Sequence, residues 1–94
     1  MILEMRKFGN VLNSRPAGRE AVLRAKQIIN GSAGPDVVIL DFSGVELLTP
    51  SFADEFINGL KQLYEKNEIK LEGYKENKVI QETLAALNFI PSAN

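Results

Sequence analysis

Residues 37–56 read VVILDFSGVELLTPSFADEF, and this stretch decides the fold. VVIL at 37–40 is wholly apolar and half β-branched. A continuous rather than alternating apolar run predicts a strand covered on both faces, as in a parallel sheet. Asp41 and Gly44 then supply turn chemistry, with Asp41 placed to cap a turn over Ser43 and Gly44. From about Ser51 to Lys66 the spacing predicts a helix. Phe52, Phe56, Ile57, Leu60, Leu63 and Tyr64 form its apolar face, and Asp54, Glu55, Asn58, Lys61, Gln62 and Glu65 its wet one. Gly59 costs such a helix about 1 kcal/mol relative to alanine, which predicts close approach to a neighbouring backbone.

Working outward, residues 2–8 (ILEMRKF) have strand character, and Gly9-Asn10 is a hairpin signal that would fold residues 11–14 back on them. Pro16 suits the first turn of a helix, because its missing N–H is an orphan there. Ala17, Ala21, Ala25, Ile28 and Ile29 recur at helical spacing, and Asn30-Gly31 ends the run. Residues 32–36 read as a loop. Residues 69–74 alternate, with Ile69 and Leu71 inward and Lys70 and Glu72 outward, as a strand does. A last helix spans about Asn77 to Leu87 on Val79, Ile80, Thr83, Leu84 and Leu87. Phe89 and Ile90 fold back onto the core before Pro91. Strands joined by helices require parallel pairing and right-handed crossovers. The expected class is α/β: a small mixed β-sheet of about four strands, an N-terminal hairpin and then β-α-β-α-β-α order, packed with about three helices.

The 94 residues suit one domain, 1–94, and the 45% apolar and 24% charged content is ordinary for a globular chain. Cysteine and histidine are both absent, which removes disulfides, thiolate metal sites and the commonest general base and zinc ligand. No metal or cofactor is expected. The opening MILEMRKF is too short in apolar residues, and carries Glu4, to read as a signal peptide. No window approaches a membrane span, so a cytoplasmic protein is expected. Charge is uneven. Residues 1–34 carry six Lys/Arg against two acids, and residues 35–94 carry five against ten. The cations lack the density and aromatic interleaving of a nucleic-acid surface, so no nucleic acid is expected; the asymmetry can guide docking to a partner, but solvated helix faces are the simpler reading.

The hydroxyls around Pro50 lie past the end of the central strand, at a helix start, where ligands of open α/β sheets bind and negative charge is favoured. Two cappings compete. With Thr49 as N-cap, Pro50 is the first helical residue and the Ser51 hydroxyl is free for a partner. With Ser51 as N-cap, Ser51 and Asp54 form a capping box and the hydroxyl is engaged internally. Each cap is worth about 1 kcal/mol, so local stability does not choose between them. Asp54 and Glu55 suit the dipole of the first turn, but adjacent helical residues diverge by about 100° and do not converge as an acid pair. Asp41 with Glu46 or Asp54 would make an all-oxygen Mg²⁺ site, though the turn cap is the simpler role for Asp41. Ser51 has neither a histidine base nor a glycine elbow, so nucleophilic catalysis is not expected.

The run DFSGV followed by TPSFADE resembles the STAS-like family of unknown function. Asn13-Ser14-Arg15 fits that family's upstream Ser-Arg element, and the resemblance covers about residues 8–88. More distantly the stretch is similar to the STAS domains of bacterial anti-anti-sigma factors, whose Asp-Ser-Ser-Gly helix start is phosphorylated on its first serine by a partner kinase that is also the anti-sigma factor. Thr49 stands at that aspartate, Pro50 at the acceptor serine, Ser51 at the second serine and Phe52 at the glycine, so the familiar acceptor is lost. The resemblance implies a non-enzymatic regulatory domain. It would bind a protein partner, of the anti-sigma or GHKL ATPase/kinase type, through Thr49, Pro50, Ser51, Asp54 and Glu55, with Asp41, Ser43, Gly44, Ser14 and Arg15 in support. Ser51 is then the first candidate for phosphorylation and Thr49 the second. The alternative is a sensor of a small ligand, nucleotide or anion at the same helix start. A monomer or a homodimer fits either reading.

Overall fold

The central strand and its neighbours fix the layout in the computed structural model, which describes residues 1–32 and 34–92. The strands are β1 (Ile2–Glu4), β2 (Val11–Leu12), β3 (Val37–Asp41), β4 (Leu47–Leu48) and β5 (Glu68–Glu72). The helices are α1 (Arg15–Asn30), α2 (Pro50–Leu63) and α3 (Lys78–Ala86). The expected α/β class, element order and three helices are all present. The loop expected over 32–36 includes Ala33, which lies outside the described residues.

Among the described residues all strand pairing is parallel, in two small sheets ordered β1-β3-β5 and β2-β4. The N-terminal hairpin does not form, and the sheet is therefore not mixed. Met5–Phe8 winds into a 3-10 turn that buries Met5 completely, and this apolar anchor carries the chain from one sheet to the other. β2 then pairs Val11 with Leu47 and Leu12 with Leu48, far along the chain. β4 makes the fifth strand, and its two residues carry no readable period.

β3 is covered on one face only. Val38 and Leu40 are fully buried, whereas Val37 and Ile39 are half-buried. Leu3 joins the covered face from β1, in register with Leu40. The core is completed by Ala21, Ala25 and Ile29 of α1, by Phe52, Ala53, Phe56, Ile57 and Leu60 of α2, and by Ile80 and Leu84 of α3. The uninterrupted VVIL run therefore reflects an apolar strand whose second face is left to half-exposed residues.

α1 and α2 lie side by side with their starts together. A Cβ on Gly18 would come within 3.0 Å of the Phe52 carbonyl oxygen and 3.1 Å of Glu55 Cβ. One on Gly59 would come within 3.0 Å of Val22 Cγ2. The close backbone approach expected at Gly59 thus occurs at Gly18, and Gly59 receives a side chain. The buried stripe of α1 is Gly18, Ala21, Ala25 and Ile29, with Ala17 and Ile28 outside it. At the far end the Tyr64 hydroxyl donates to Asn30 Oδ1 at 2.9 Å. α2 stops at Leu63, short of the expected Lys66, and Leu63 is exposed. After α3, Asn88 adopts φ 63°, the Asn88 N–H reaches Ala85 O at 3.0 Å and the Phe89 N–H reaches Leu84 O at 2.9 Å. This Schellman turn folds Phe89 and Ile90 back onto the core, as expected.

Candidate functional site: the joined starts of two helices

Thr49 is the N-cap of α2, and Pro50 is its first helical residue. The Thr49 backbone is extended (φ −82°, ψ 151°), the conformation that both a cap and a residue before proline require. Its hydroxyl oxygen accepts from the Phe52 N–H at 3.4 Å and from the Ser14 N–H at 3.3 Å, and the hydroxyl donates to Leu12 O at 3.4 Å. One donor and two acceptor positions are all that a hydroxyl has, so that of Thr49 is fully engaged. The first capping is therefore the one adopted. It is selected by the Ser14 contact, which supplies a tertiary term the local energies lack. Ser51 follows at the second helical position and is exposed.

Ser14 performs the same service for α1, accepting from the Ala17 N–H at 3.3 Å. It does so at φ 83° and ψ 151°, a region essentially reserved for glycine, with strain of roughly 1–3 kcal/mol. Three bonds hold it there: the cap, its N–H to Thr49, and its carbonyl accepting from the Gly18 N–H at 3.1 Å.

Asp54 and Glu55 belong to the second turn of α2, not the first, so the helix dipole is not their main partner. Arg15 Nη1 lies 2.9 Å from Asp54 Oδ2 and 3.3 Å from Glu55 Oε1, and Arg19 Nε lies 3.9 Å from Glu55 Oε2. Asn58 Nδ2 donates to Asp54 Oδ1 at 2.7 Å. The hydrogen bond from Arg15, and after it that from Asn58, holds the Asp54 carboxyl below the usual carboxylate range. Its hydrogen bonds to Asp54 first, and then to Glu55, raise Arg15. Arg15 and Arg19 are exposed and the two carboxylates only half-buried, so the pairs orient the two helix starts more than they stabilise them.

Asp41, Ser43 and Gly44 form a second cluster. Asp41 Oδ1 accepts from the Ser43 N–H at 3.0 Å, the expected turn cap, and this bond holds the carboxyl below its usual range. Gly44 takes φ 83° against the Arg6 side chain. The turn rests on Gly73, whose φ is 74°. A Cβ there would overlap Asp41 Oδ1 and come within 2.6 Å of Ser43 Oγ. Among the described residues no hydrogen bond or ion pair joins this cluster to the helix starts. Nor do three His, Cys, Asp or Glu side chains gather there as a metal would need. The sequence reading thus merged two places. It missed Arg19, the Leu12 carbonyl and Gly18, although a glycine inside a helix was a visible signal of close packing.

No described helix is long and apolar enough to cross a membrane. Among families of known proteins, residues 21–78 match the STAS-like domain of unknown function (DUF4325). That span holds the α2 start and stops short of Ser14 and Arg15 on the N-terminal side. No curated protein and no solved structure matches the chain.

Proposed function

We propose a function from one premise: the chain belongs to the STAS-like domain family. It is a non-enzymatic regulatory domain that docks a protein partner on the joined starts of α1 and α2. The observation that carries this reading is the division of labour between two hydroxyls. Thr49 does all the capping, which leaves the Ser51 hydroxyl exposed on a platform braced by Arg15, Asp54 and Glu55. The resemblance to anti-anti-sigma domains suggests a kinase or anti-sigma-type ATPase as partner, and Ser51 as the group it would modify. A phosphate there adds about −1.5 to −2 charge, which its own helix tolerates and an acidic partner surface does not.

Ser51→Asp separates docking from folding, since an acid at the second helical position suits the dipole. The wild-type chain is expected to capture one dominant protein from the native cell extract. With S51D the affinity for that protein should fall at least about tenfold, or 1.4 kcal/mol, while circular dichroism and thermal unfolding stay unchanged. Equal affinity of the two forms for the captured protein would remove the helix start as the docking site.

A second reading draws on the two helix starts lying side by side, each with a positive dipole end: a sensor of a small anion or nucleotide. It ranks lower because Arg15 is already held by Asp54 and Glu55. A thermal-shift screen with inorganic phosphate and nucleotides decides it. A ligand at 100 times its Kd stabilises by about 2.7 kcal/mol, and a flat screen ends the reading.

A further inference from the structure

We infer that the outer edge of β5 is where two copies of this chain join, strand to strand about a twofold axis. The inference is independent of the helix-start reading. β5 is a terminal strand of the larger sheet and has five residues, where the opposite terminal strand, β1, has three. Its ladder to β3 begins with the Glu68 N–H on Asp36 O at 3.0 Å and ends with the Phe42 N–H on Glu72 O at 2.9 Å. In a parallel ladder this assigns the peptide groups of Glu68, Lys70 and Glu72 to β3 and turns those of Ile69 and Leu71 outward. Among the described residues nothing takes up these outward groups. The outer edge of β4, by contrast, is covered by α3, through the Thr83 hydroxyl on Leu48 O at 3.0 Å.

The bare edge is bordered by a continuous furrow. Three adjoining clefts of about 320, 340 and 420 Å³ run along it. The first two share Lys61 and Ile69, and the last two share Leu71, Glu72 and Tyr74. Tyr64, Ile69, Leu71, Tyr74, Phe89 and Ile90 line it, all of them half-buried and packed against the core. An unpaired edge beside half-buried apolar side chains is a template for an added strand.

The charges on β5 select a second copy as the occupant. Its sequence is Glu68-Ile69-Lys70-Leu71-Glu72, with the charged residues on the exposed face. Two copies placed antiparallel about Ile69 bring the Ile69 peptide groups together in an exchanged pair of hydrogen bonds. Glu68 then faces Lys70 of the second copy, twice by symmetry. The register centred on Lys70 sets glutamate against glutamate and lysine against lysine, which is unfavourable. The register centred on Leu71 brings in Gly73, whose φ of 74° departs from the extended chain. The twofold pair uses both copies' β5 edges and so closes on itself.

Sedimentation velocity over micromolar concentrations is the test. A mass of twice the 10.4 kDa chain is expected for the wild type. Lys70→Glu should raise the dimer dissociation constant at least tenfold, and the swap E68K/K70E should restore it. Ile69→Pro removes an outward N–H and part of a half-buried side chain while sparing the ladder to β3, and should give a folded monomer by circular dichroism. A wild-type chain that stays monomeric, a dimer indifferent to K70E and I69P, or a swap that fails to restore association would each overturn the inference.

Discussion

Phe56→Ala is expected to remove roughly 3–5 kcal/mol of stability, a large part of the 5–15 kcal/mol that holds a domain of this size together. Phe56 is fully buried. Its ring centroid lies 5.6 Å from that of Phe8 and 5.8 Å from that of Phe52. It therefore ties α2 to the 3-10 turn that carries the chain between the two sheets. Truncation removes the transfer energy of the ring and opens a cavity beside Phe8 and Phe52 in a core that has little slack at this chain length. Urea unfolding followed by circular dichroism should show the midpoint falling steeply, or no folded baseline at all. Phe56→Leu, which retains most of the apolar volume, should cost about 1–1.5 kcal/mol. A loss under about 1.5 kcal/mol for the alanine variant would mean that the ring cluster is peripheral to folding.

Gly73→Ala comes second, with an expected loss of roughly 3 kcal/mol from two sources. A φ of 74° is unfavourable for any residue with a Cβ, by about 1–2 kcal/mol. The added carbon would also overlap Asp41 Oδ1 and sit 2.7 Å from the Ser43 backbone nitrogen. Relief requires the capped turn after β3 to move, and with it the hydrogen bond that orders Asp41. Gly34→Ala is the matched control. Its φ is 59°, but among the described residues nothing lies within 4 Å of the new Cβ, so it should show the conformational part alone. Thermal melts of the two variants separate the terms. Equal losses would show that the contact between β5 and the Asp41 turn is loose.

What the sequence could announce follows from range. The apolar periods of α1, α2 and α3 span several turns, so the helices were legible and only their ends moved. β2 and β4, at two residues each, offer no period, and Gly9-Asn10 carries hairpin chemistry without the second arm a hairpin needs. The choice of cap was balanced locally and was tipped by Ser14 across the two helix starts. Asp54 and Glu55 look like dipole partners from their own helix, yet Arg15 on α1 claims them. Gly73 reads as the continuation of a strand, because the atoms that demand a glycine belong to Asp41 and Ser43. The undecided cap, and the misread acid pair and glycine, each trace to a partner distant in the chain.

The parallel pairing of the two sheets also bears on how the chain closes. Ile2 meets Ile39 and Val11 meets Leu47, so the same two segments, one near the N-terminus and one in the middle, supply a strand pair to each sheet with nearly the same offset, β5 being added beside β3. Helix α1 lies wholly inside the loop that this meeting closes. The chain therefore closes one long loop rather than two, and the entropic cost of that closure is incurred once. Once β1 has found β3, the 3-10 turn delivers β2 to β4 with almost no further search. A sheet of two-residue strands, which would not persist alone, is thereby made part of a single cooperative unit.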